Sequence, residues 1–140
     1  MKAMKLFSYL VLTGTVALLF SCKKDDPELT NMDLLTMKTW KLTNQKISGA
    51  EVVLGECILD DIHTFTKASV FTLDESATKC DSNDDQTLTG TWIFLEKETK
   101  IKILFSGFSL FDREIVELTP STLRFKFSFN NSDFEQTFSH

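Results

Sequence analysis

The stretch "TLRFKFSF" (Thr122–Phe129) decides how this chain is read. Leu123, Phe125, Phe127 and Phe129 alternate with Arg124, Lys126 and Ser128. Successive side chains of a β-strand point to opposite faces. A strict period of two therefore marks a strand with one apolar and one wet face. Pro120 lies just before the stretch, where a proline closes the preceding segment. Asn130-Asn131 follows it, and asparagine tolerates the positive φ of a tight turn. "FEQTFSH" then alternates Phe134, Gln136 and Phe138, which predicts a hairpin.

The same grammar extends toward the N-terminus. "TWKLTNQK" places Trp40 and Leu42 on one face, and "ILDDIHTFT" and "SVFTLDE" flank a short loop at Lys67-Ala68-Ser69. "TLTGTWIFLE", "KIKILF" and "REIVELT" complete a set of eight candidate strands. Only Thr30–Lys38 suits a helix, with Asn31 as its cap. Without further long amphipathic helices, parallel βαβ units are excluded. Sequential hairpins favour an all-β, eight-stranded antiparallel up-and-down barrel with a short N-terminal helix over a sandwich. Closure also removes sheet edges.

The first residues carry a different message. Lys2 and Lys5 precede an uncharged apolar run, Leu6 to Phe20, too short to span a bilayer. The run stops at Leu19-Phe20-Ser21-Cys22, which resembles a bacterial lipobox. That resemblance implies a signal peptide at residues 1–21, cleavage before Cys22 and lipidation of its thiol. Residues 22–31 are charged and contain Pro27, as a tether requires. Lys24-Asp25-Asp26 looks like the export signal of surface-exposed lipoproteins. The expected location is the outer membrane, lipid-anchored and on the cell surface; the alternative is its periplasmic face. Residues 32–140 form one domain, a suitable length for a single core.

Loss of Lys2 and Lys5 leaves 13 basic and 20 acidic side chains, a net charge near −7. No basic run stands out, so nucleic acid is not an expected partner. Cys57 and Cys80 read as a disulfide in an oxidising compartment. The alternatives are a metal site or a reactive thiol, but structural zinc takes four ligands, and His63 and His140 lack zinc-finger spacing. "DSNDD" (Asp81–Asp85) begins like a calcium loop, yet Gln86 and Trp92 replace the expected Gly and Glu. No metal or cofactor is expected.

Taken together, Leu34-Leu35 leading into Thr39-Trp40-Lys41-Leu42, Cys57 before Asp60-Asp61-Ile62 and Phe65, Lys79-Cys80-Asp81, and Gly90-Thr91-Trp92 resemble the lipocalin-like domain lipoproteins of Bacteroidetes. Lys38 stands where true lipocalins carry the glycine of Gly-x-Trp. The resemblance implies a calyx-like barrel of the calycin type and no established activity. No nucleophile–base motif occurs, so an enzyme is not expected. The leading expectation is a binding module for a small apolar or amphipathic ligand. Its candidate residues are Trp40, Asp61, His63, Trp92, Phe125 and Phe127. The alternative is a protein–protein or structural surface module with a filled barrel. An eight-stranded barrel is just wide enough for either.

Overall fold

The computed structural model describes residues 27–106, 108–109 and 111–140. The signal segment, Cys22 and most of the tether lie outside the described residues. Ten strands, two of them stubs, and two short helices follow in chain order. These are α1 (Asn31–Thr36), β1 (Thr39–Ile47), β2 (Ala50–Glu51), α2 (Glu56–Leu59), β3 (Ile62–Phe65) and β4 (Val70–Asp74). Then come β5 (Thr87–Leu95), β6 (Lys100–Phe105), β7 (Phe108–Ser109), β8 (Arg113–Leu118), β9 (Leu123–Phe129) and β10 (Ser132–Ser139).

Eight strands form the wall in the order β1-β3-β4-β5-β6-β8-β9-β10, and β10 pairs back to β1. Every pairing is antiparallel and joins successive wall strands, apart from that closure. The chain is thus a closed eight-stranded antiparallel barrel. The stubs β2 and β7 fold back on β1 and β6 as small hairpins.

The turns explain the register. Asn130 and Asn131 have φ of 49° and 61°, and Phe129 pairs directly with Ser132. Two positive φ values in a two-residue loop match the right-handed strand twist. Ser48 and Gly49 do the same between β1 and β2. Register shifts at Leu42/Asn44 in β1 and Ile115/Glu117 in β8 mark bulges. A bulge bends the strand and lets a sheet close. Past its bulge, β1 turns Gln45 inward, paired with inward Gln136.

Gly90 sits inward on β5 because nothing larger fits. A Cβ there would collide with the Leu104 carbonyl oxygen and lie 2.8 Å from Cδ1 of Phe105. The core is wholly hydrophobic: Leu35, Trp40, Leu42, Phe65, Phe71, Trp92, Ile101, Ile103, Leu123, Phe125 and Phe138. Each such large side chain contributes about 1.5–3 kcal/mol when fully buried.

α1 closes one end. Thr30, not Asn31, is its cap. Thr30 Oγ1 accepts from Asp33 N at 3.1 Å, and the Asp33 carboxylate accepts from Thr30 N at 3.2 Å. This reciprocal box satisfies two otherwise orphaned donors. Asp33 also pairs with Lys67, which ties the helix to the β3–β4 turn. Leu35 is fully buried beneath the helix, and its carbonyl accepts from Trp40 Nε1 at 3.0 Å. Trp92 Nε1 donates to the Thr66 carbonyl at 3.1 Å. Both indoles are therefore buried without a lost hydrogen bond.

One expected strand is shorter than its pattern. "ILDDIHTFT" is not extended throughout: Ile58 and Leu59 belong to α2, and Asp60 is its C-cap. The cause is tertiary. Cys57 on α2 is bonded to Cys80 in the β4–β5 loop, with Cα atoms 5.1 Å apart. That staple holds the segment against the barrel end, and pairing begins only at Ile62.

Candidate functional site

Inward positions fall into two zones. Toward α1 they are packed and dry. Trp40, Trp92 and Phe125 are at most 1% exposed. These three expected ligand contacts are core residues: Trp92 meets Phe65 and Phe94 edge-on, and Phe125 meets Phe138.

Toward the opposite end the interior opens onto aromatic rings. Phe127 on β9 stacks on Phe134 of β10, centroids 5.0 Å apart and planes within 4°. Phe111 stacks on the same Phe127 at 5.7 Å, within 2° of parallel. Phe129 tilts against Phe111 at 4.5 Å. Phe111 and Phe129 are 39% and 42% exposed, whereas the core rings are sealed. The strand alternation that buries Leu123 and Phe125 carries Phe127 and Phe129 past the packed zone to this mouth.

Two ionisable side chains line the interior between these zones. His63 pairs across from Trp40 and Leu73, and its ring lies edge-on to Phe138 at 5.1 Å. Burial, with a lesser contribution from Arg113, lowers its pKa to about 4, so it is neutral at pH 7. Arg113 begins β8 opposite Ile101. Its guanidinium carbon stands 5.3 Å from the Phe127 centroid and 5.8 Å from that of Phe125. Burial lowers its pKa to about 10, and Nε is sealed from solvent with no hydrogen-bond partner. Nearby, Gln136 donates to Gln45 at 2.7 Å, while its own Oε1 has no partner. Arg113 escaped the sequence reading because "REIVELT" looks like any half-exposed strand. Its inward placement depends on the register of β8 against β6.

Asp61 lies elsewhere. It stands before β3 among Asp60, Asp74 and Glu75. Partial burial, then the charges of Glu75, Asp60 and Asp74, raise its pKa to about 6. Asp60 accepts from Thr78 N at 2.9 Å, and Asp74 accepts from Ser76 N and Gln86 Nε2. Asp60 and Asp74 thereby hold the disulfide-bonded loop, while Asp61 and Glu75 each keep a sealed carboxylate oxygen without a partner. Among the described residues, no set of His, Cys, Asp or Glu side chains converges as a metal site.

A cleft of about 580 Å³ runs beside β1, β8, β9 and β10, and Phe127 and Phe134 of the ring stack line it. Lys46, Glu114, Lys126, Asp133 and Glu135 border it. Its charges pair within the wall, Lys126 with Glu135 at 3.3 Å and Ser128 with Asp133 at 2.7 Å. His63, Arg113 and Gln136 do not line it. The cleft thus meets the ring stack at Phe127 and Phe134, while the ionisable side chains of the interior lie apart from it.

A closed meander barrel, sealed at one end by a helix and aromatic at the other, defines the calyx class of β-barrels. The chain matches the lipocalin-like domain model over residues 36–125, more than half its length, and it belongs to that family. It is similar in structure to a lipocalin-like protein from Bacteroides uniformis ATCC 8492. That likeness has a TM-score of 0.54 at 13% identity, covering 76% of this chain and 97% of the other. At that identity the likeness concerns the fold. No curated protein matches the chain.

Proposed function

We propose that this protein is a lipid-anchored cell-envelope lipocalin-like module that holds a small apolar or amphipathic ligand at its barrel mouth. The observation that carries the reading is the stack Phe111–Phe127–Phe134, partly exposed at one end of an otherwise sealed core. Ligand sites are typically concave and apolar, with a few convergent polar groups. His63, Arg113 and Gln136 supply such groups. The fold family supports binding over catalysis.

The sequence around Cys22 supports the anchor. A diacyl anchor holds a protein stably where a single chain does not. The tether joins the domain at Thr30, on the sealed end, which supports a mouth turned away from the membrane.

The test uses the oxidised soluble domain and the neutral dye Nile red. Expected is a saturable, single-site fluorescence rise that Phe127→Ser and Phe134→Ser each weaken at least several-fold. Absence of saturable binding sinks the ligand reading. For the anchor, Cys22→Ser is expected to abolish incorporation of a labelled fatty acid; a labelled variant refutes it. Protease treatment of intact cells separates surface display from the periplasmic face.

A partner-binding module is the second reading. Val53 is 99% and Phe108 79% exposed, and Ile58 and Leu59 are exposed as well. Exposed apolar side chains mark a contact surface where they join into one contiguous patch.

A further inference from the structure

We propose that Arg113 is the seat for the carboxylate head of an amphipathic ligand whose apolar body lies against Phe127 and Phe134. The inference rests on the ligand-binding reading above and adds the chemical class of the ligand.

Drawing a guanidinium partly out of water, as the half-buried Arg113 is, destabilises the fold unless a counter-charge and hydrogen bonds compensate it. Elsewhere on this barrel the compensation is present. Arg124 pairs with Glu117 and Glu135, Lys100 with Glu96, and Lys102 with Asp112. These pairs lie on the wet outer wall, where they are needed least. Arg113 turns inward and forms no ion pair among the described residues. Its sequence neighbours do not help: Asp112 is committed to Lys102, and Glu114 faces the outer cleft. The two phenylalanine faces offset only part of that cost. Its Nε lacks a partner, as does that of Arg124, but of the two only Arg113 also lacks a counter-charge among the described residues.

The charge count selects the class of head group. Arg113 brings one positive charge, while His63 is neutral and Gln45 and Gln136 carry none. A monoanion neutralises the site. A dianion, such as a phosphate monoester, leaves a buried negative charge in excess. The planar fork of a guanidinium matches a carboxylate in two parallel hydrogen bonds. The ring stack beside it, open on the solvent side, suits a short alkyl or aryl body.

The experiment compares octanoate with octanol, two ligands that differ only in the head. Calorimetric titration at pH 7.5 is run on the wild type, Arg113→Met and Arg113→Lys. Expected is binding of octanoate that Arg113→Met weakens about tenfold or more, the usual scale for a charge-assisted hydrogen bond. Arg113→Lys retains part of it, and octanol affinity stays within about twofold throughout. Equal octanoate affinity in wild type and Arg113→Met overturns the inference and leaves the apolar mouth standing. If neither compound binds the wild type, the inference also falls, and Nile red decides separately whether the mouth takes any ligand. A readout without variants is the Arg113 Nε–H resonance. Bound octanoate shifts it, and binding without a shift overturns the assignment.

Discussion

If Arg113 is held for a ligand, the empty protein is less stable for carrying it. Burial draws its pKa from 12.5 to about 10. At about 1.4 kcal/mol for each pKa unit, the half-buried charge costs at most about 3 kcal/mol. The contacts with Phe125 and Phe127 return about 1 kcal/mol. Methionine fills a similar volume with no charge and adapts to irregular apolar gaps. Arg113→Met is therefore expected to stabilise the ligand-free domain by up to about 2 kcal/mol. For a domain of this size that is a rise of about 8 °C in midpoint. The assay is thermal unfolding followed by circular dichroism at pH 7, with the disulfide intact and bound lipid removed. A saturating carboxylate narrows the gap, because it stabilises only the wild type. A fall of several degrees in the delipidated variant refutes the reasoning. It would mean that Arg113 is already compensated within the native chain.

Other perturbations probe different parts. Reducing Cys57–Cys80, or replacing both by Ser, is expected to cost about 3 kcal/mol, since the bridge closes a loop with a sequence separation of 23. Urea unfolding with and without reductant measures it; equal midpoints would show that the staple adds nothing. Gly90→Ala drives a methyl group into the Leu104 backbone and the Phe105 ring, and is expected to destabilise by about 1–3 kcal/mol. An unchanged melting midpoint contradicts the close approach. His63 and Asp61 act oppositely with pH. The folded His63 binds its proton only near pH 4, against 6.5 when free, so its stabilising contribution is full above 6.5 and lost as pH falls toward 4. The folded Asp61 takes its proton near pH 6, against 3.8 when free, so its contribution grows as pH falls from 6 toward 3.8. Replacing His63 by Leu should therefore make stability rise between pH 6.5 and 4. Asp61→Asn should steepen the fall. Unfolding midpoints at pH 7 and 4.5 that do not move apart in these directions reject the assignment.

Much of the wall is legible in the chain because a strand with one wet face writes its period into the residues. "TLRFKFSF" gives β9, its facing and its turn without reference to anything distant. Asn130-Asn131 and Lys67-Ala68-Ser69 mark their hairpins for the same local reason. The error at Ile58–Asp61 has a non-local cause. Ile58, Leu59, Asp60 and Asp61 read as part of a strand, yet Ile58 and Leu59 lie in α2 and Asp60 caps it, held there by the bond from Cys57 to Cys80. The candidate site divides in the same way. An apolar face tells which residues turn inward, but not how deep along the barrel axis each one lies. Trp40 and Phe127 share that facing, and the first is sealed beneath α1 while the second reaches the mouth.

The sequence by itself determined the strand set, the wet and dry faces, the turns, and a lipobox-like cysteine ahead of a charged tether. Those properties are local, fixed by side-chain alternation, backbone preference and composition. Tertiary structure decided the rest: where the barrel closes, which aromatics fill it and which remain open, and that Arg113 points inward. The register shift at Ile115/Glu117 and the pairing of Arg113 with Ile101 set that direction. Register depends on the neighbouring strand, and a one-residue slip would turn the same arginine out to water.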